Sequence, residues 1–123
     1  MYNIQEDKMN DTRKNIRVPL TASARLIYNG PEGVKSIDST VGSISMMGIG
    51  VYADCMPGKS TPLLVEISFF SSDGQLKTAE MEGQVINANE VSALCYICIV
   101  FKEEINAQKQ PSLHEHLLKL MKR

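Results

Sequence analysis

The chain has no apolar run able to cross a bilayer. Its longest, such as Tyr96-Ile97-Cys98-Ile99-Val100-Phe101, fall far below the ~18 residues that a spanning helix requires, so no membrane span is expected. The first residues, Met1-Tyr2-Asn3-Ile4-Gln5-Glu6-Asp7-Lys8, mix charges of both signs and lack the apolar segment of a secretory signal, which predicts a cytoplasmic protein. Cysteine is scarce and odd in number, three in 123 residues, and without a secretory signal these read as reduced thiols rather than a disulfide framework. A basic excess is missing too: 13 Lys and Arg stand against 14 Asp and Glu, which argues against a large footprint on a nucleic acid polymer and makes any basic site local.

Catalytic machinery is equally hard to find. No nucleophile with its base, no carboxylate pair and no metal cluster stands out, so the chain reads as a non-enzyme without cofactor or metal. Cys95-Tyr96-Ile97-Cys98 has the spacing of a metal or redox pair, and His114-Glu115-His116 follows downstream. Residues three apart on a strand point to opposite faces, however, and histidines two apart on a helix lie roughly 200° around its axis. The two cysteines read as small buried hydrophobes, and the histidines as helix-surface residues.

What is present is a globular composition, 43% apolar and 22% charged, with eight glycines and five prolines among few aromatics. The length suits one domain able to bury about two-thirds of its unfolded surface. Residues 1–12 are polar and aperiodic and predict a flexible arm ahead of a domain over 13–123. Ala22, Ala24, Leu26 and Tyr28 alternate with polar residues up to a turn at Asn29-Gly30-Pro31-Glu32-Gly33. A β-rich stretch, Val34 to Ser45, is broken by Met46-Met47-Gly48 before Ile49–Ala53, which predicts a hairpin. Leu63, Val65, Ile67 and Phe69 line one face of a further strand. Ala79, Met81 and Val85 line another, with Gly83 at a position where neighbouring backbone comes close. Leu94 to Phe101 is apolar on both parities, as in a strand covered on both faces. Strands at this spacing suggest a small barrel or sandwich. Ser112 followed by Glu115 predicts a capping box opening a helix whose leucines, Leu113, Leu117 and Leu120, dock on the sheet.

Two short motifs carry the functional signal. Arg13-Lys14-Asn15-Ile16-Arg17 sets two guanidinium groups four residues apart, and Ser43-Ile44-Ser45-Met46-Met47-Gly48 follows about one hairpin later. A guanidinium fork matches guanine O6 and N7, stacks on a purine face and binds phosphate oxygens. The order and separation of these motifs resemble the PilZ family of bacterial cyclic di-GMP receptors, whose members carry Arg-x-x-x-Arg before the first barrel strand and Asp or Asn-x-Ser-x-x-Gly later. The resemblance implies a mainly β fold, a small closed or split antiparallel barrel of about six strands with a C-terminal helix. It implies a ligand site at Arg13, Arg17, Ser43, Ser45 and Gly48, and second-messenger signalling in which the arm orders on cyclic di-GMP and changes the surface offered to an unidentified downstream protein. Ser45 is compatible with capping its turn as well, and Gly48 with a positive φ. Ser43 departs from the family's acidic or amide residue. A hydroxyl is one neutral acceptor where a carboxylate offers two charge-assisted ones, which leaves as the alternative a PilZ-like adaptor with weak or no nucleotide binding. Asp38 is no obvious substitute, because in an unbulged strand positions 38 and 43 face opposite sides.

Overall fold

The computed structural model describes residues 15–54 and 57–122, so the expected arm and Arg13 lie outside the described residues. Within these, six strands and one helix follow in chain order: β1 Ala22–Gly30, β2 Gly33–Ile44, β3 Gly48–Ala53, β4 Pro62–Phe70, β5 Leu76–Val91, β6 Leu94–Phe101 and α1 Pro111–Met121. Neighbouring strands are antiparallel, and the order around the wall is β1-β2-β3-β6-β5-β4 with β4 returning to β1. The sheet therefore closes into a mainly β barrel, which leaves no strand edge unpaired.

The period-two pattern explains the wall. In β4, Leu63, Val65, Ile67 and Phe69 are buried while the residues between them are not, and Leu26, Ile49, Val51, Ile97 and Ile99 complete a fully buried aliphatic core. A turn at Pro31 and Glu32 links β1 to β2, with Gly33 at φ +119°, a conformation that side chains rarely adopt. β5 runs to Val91, well beyond the alternation of Ala79, Met81 and Val85. A bulge between Val85 and Asn87 absorbs one residue, so that Ile86 and Asn87 are both exposed and Ala88 pairs with the buried Ile97. Gly83 fits its expected role: a Cβ there would lie 2.8 Å from the Val100 carbonyl oxygen.

Two expectations are corrected. β6 is not covered by a second layer: its inward residues are buried, but Tyr96, Cys98 and Val100 are half-buried on the outer wall and Leu94 is exposed. Cys95 and Cys98 do fall on opposite faces, one buried and one half-buried. The capping box does not form either. α1 begins at Pro111, whose fixed φ and missing N–H suit the first helical position, so Ser112 lies inside the helix. The N-cap residue is Gln110, and its side chain works elsewhere, accepting from the Asn106 N–H and donating to the Glu80 carbonyl in β5. Leu113 and Leu117 are fully buried and Leu120 packs at their margin, as the helical spacing predicts. His114 and His116 are half-buried rather than on the surface, the ring of His116 lying 5.4 Å from that of Phe69.

Candidate functional site

The two motifs meet on the outer wall where β2 ends. Between Val41 and Ser43 the β2–β3 register shifts by one residue, so Val41 pairs with Val51 but Ser43 pairs with Gly50. The extra residue, Gly42, inverts the in-and-out parity. Val41 and Ile44 both face the core, and Ser43 is turned outward onto the same face as Asp38 and Thr40. Opposite faces for Asp38 and Ser43 would hold only without the bulge. Sharing a face does not make Asp38 a replacement, because its carboxylate already accepts from Arg25 at 3.2 Å.

The chain reaches the barrel through Val18. Its N–H and carbonyl exchange hydrogen bonds with Ile44 at 2.9 and 3.0 Å, an isolated antiparallel bridge that extends β2 by one partner. Val18 and Ile44 are both buried. The residue before Val18 must then project outward, and Arg17 does so: its Nη1 donates to Ser43 Oγ at 3.2 Å. The two halves of the expected site are thus in direct contact through their outward-facing members, Arg17 and Ser43.

Ser45 and Gly48 occupy a different environment. The Ser45 hydroxyl is buried and accepts from the backbone N–H groups of Met47 and Gly48, at 3.2 and 3.1 Å, while its own N–H donates to the Gly48 carbonyl at 2.8 Å. This is the side-chain-stapled turn that Ser favours. Gly48 has no positive φ. Its need for a missing side chain comes from packing, since a Cβ would stand 2.7 Å from the Ile99 carbonyl oxygen of β6. The close approach is to a neighbouring strand.

Two tyrosines beside Ser43 escape the motif. Tyr52 and Tyr96 pair across β3 and β6 on the outer wall, their ring centroids 4.8 Å apart and the planes tilted by 51°. The Tyr96 hydroxyl oxygen lies 1.9 Å from where Gly50 would carry a Cβ, and Tyr52 Cε2 lies 2.9 Å from the corresponding point on Gly42. Glycines inside strands were the available signal, but the inter-strand register decides which ring each one admits. A cleft of about 690 Å³ lies elsewhere, lined from β1, β2, β4, β5 and β6, and its cation, Lys102, is paired with Glu82 at 3.5 Å. The Arg17 guanidinium is exposed on the wall beside Ser43.

No family model matches the chain, and no curated protein matches it. Among solved structures, the fold is similar to that of the Bacillus subtilis inhibitor of motility MotI/DgrA, with a TM-score of 0.67 and 16% sequence identity over 88% of this chain and 51% of that one. This chain spans about half the length of that protein. At this identity the likeness is one of fold.

Proposed function

We propose that this chain is a cyclic di-GMP receptor of PilZ type, in which the segment carrying Arg13 and Arg17 closes on the ligand and alters the surface presented to a protein partner. The observation that carries this reading is the Arg17 to Ser43 contact, held on the outer wall by the Val18 to Ile44 bridge. A guanidinium has five N–H donors and Ser43 takes one, which leaves a fork suited to a guanine edge or a phosphate. The likeness of fold to an inhibitor of motility fits a regulator that acts by contact. A groove of about 950 Å³ begins at Pro19, two residues after Arg17, and includes the exposed Phe70 and Leu76. Movement at Arg17 would reshape its wall.

The second reading is an adaptor with weak or no nucleotide binding. It is favoured by the neutral Ser43, a single uncharged acceptor where a carboxylate would offer two charge-assisted ones. Calorimetric titration with cyclic di-GMP separates the two. On the receptor reading, the wild type binds and Arg17→Ala or Arg13→Ala weakens binding by about 1–3 kcal/mol, the range for a lost bidentate guanine contact. A wild type that takes up no cyclic di-GMP leaves the adaptor.

A further inference from the structure

We infer that Tyr96, braced by Tyr52, is the floor on which a purine ring of the ligand stacks while Arg17 and Ser43 hold its edge; this rests on the cyclic di-GMP reading. Three strands place the parts. The cross-strand row Ser43, Gly50, Cys98 runs over β2, β3 and β6, and the row Thr40, Tyr52, Tyr96 lies next to it. Both rows face outward, because Val51, Ile97 and Ile99 between them are fully buried.

The rings do not stand away from the wall. Both lean diagonally toward the Ser43 row, Tyr96 over Gly50 and Tyr52 over Gly42. The Tyr96 phenol oxygen sits close to where a Gly50 Cβ would be, and directly opposed residues have Cβ atoms about 4.5–5.5 Å apart, so the ring ends beside Ser43. Glycine weakens the strand that carries it. Two such positions, both occupied by tyrosine rings, leave an aromatic surface next to the guanidinium.

The chemistry of the floor selects its occupant. Thr40, Ser43 and Cys98 beside the rings and Asn89, the β5 partner of Tyr96, are uncharged, and the charged groups near Tyr52, Asp38 and Asp54, are carboxylates, so the surface offers π-faces and no cation for a phosphate. A purine stacks on such a face whatever its edge groups. Selection for guanine then belongs to Arg17 and Ser43. Stacking on an aromatic ring is worth about 5- to 150-fold in affinity per base.

Calorimetry with cyclic di-GMP on the wild type, Tyr96→Phe, Tyr96→Leu and Gly50→Ala tests the floor, with tyrosine emission as a second readout in a chain that has no tryptophan. Tyr96→Leu should bind about 5- to 150-fold more weakly, Tyr96→Phe should recover most of that loss, and binding should quench the wild-type emission. Gly50→Ala puts a methyl group where the phenol lies and should also weaken binding; it decides the matter if Tyr96→Leu does not fold. Wild-type affinity in Gly50→Ala, or in Tyr96→Leu, overturns the floor while the receptor reading stands. A loss in Tyr96→Phe as large as in Tyr96→Leu also overturns stacking. A wild type that binds no cyclic di-GMP overturns both.

Discussion

Alanine at Gly48 and alanine at Gly50 are the same chemical change two residues apart in β3, and the structure assigns them different consequences. At position 48 the new Cβ would meet the Ile99 carbonyl oxygen at 2.7 Å, a backbone atom of a core strand that cannot turn aside. β3 and β6 must separate locally, which strains the Gly48 to Val100 pairing and the Ser45 hydrogen bond to the Gly48 N–H. Overpacking of this kind costs about 1–3 kcal/mol, and alanine recovers about 0.5–1 kcal/mol of glycine's entropic cost, so a net loss of about 1–2 kcal/mol is expected. At position 50 the obstacle is the tip of the half-buried Tyr96 side chain, which can swing outward. Losing the Tyr52 to Tyr96 ring contact costs about 0.5–1.5 kcal/mol, against the same gain from alanine, so stability should change by less than about 1 kcal/mol. Urea unfolding followed by far-UV circular dichroism measures both, provided that the m-values agree with the wild type. A Gly50→Ala protein destabilised as much as Gly48→Ala would refute the distinction and show that Tyr96 is fixed in the wall.

Gln110→Ala should lower stability by about 1–2 kcal/mol in the same assay and speed amide exchange along α1, because Gln110 alone links the Asn106 N–H to the Glu80 carbonyl at the start of that helix. The hydroxyl of Ser71, then the Gln75 N–H, hold the Asp73 carboxyl below its ordinary value of 3.8. Its stabilising contribution is therefore fully present above that value and is lost as pH falls through the lower folded one, and NMR titration of Ser71→Ala should find the Asp73 pKa moved back up. Ser43→Asp should keep Arg17 docked through a charge-assisted bond and still offer acceptors to a guanine edge, raising cyclic di-GMP affinity several-fold, or about 1 kcal/mol. A folded Ser43→Asp protein that binds less tightly would show that this side chain faces phosphate.

Strands such as β4 are legible because one face must be apolar, and alternation reports that face directly. The Ser43 bulge is not, because Val41-Gly42-Ser43-Ile44 continues as a plausible strand in either parity and only the buried Val41 and Ile44 together force the extra residue. At α1 the Ser-x-x-Glu pattern competes with a proline one residue earlier, and the fixed proline φ prevails. The proximity of Arg17 to Ser43 follows from motif spacing, yet its cause, the Val18 bridge, is a tertiary pairing with no local signature. Tyr96 is further from reach. Its place over Gly50 depends on the register between β3 and β6, which are separated in sequence by two other strands.

The second motif divides along the same physical line. Ser45 and Gly48 are buried, where one staples the turn and the other lets β6 approach, and a barrel of this register needs both whether or not a nucleotide ever binds. Their presence therefore speaks for the fold. Ser43 projects outward, is half-buried, and among the described residues its side chain bonds to the Arg17 guanidinium. A substitution there changes the binding surface at little cost to the core. The bulge at Gly42 joins the two halves: by inverting parity it keeps Ile44 in the core while turning Ser43 toward Arg17. The choice between receptor and adaptor accordingly rests on Arg17 and Ser43 with the tyrosines beside them, and the buried half of the motif, Ser45 and Gly48, has no bearing on it.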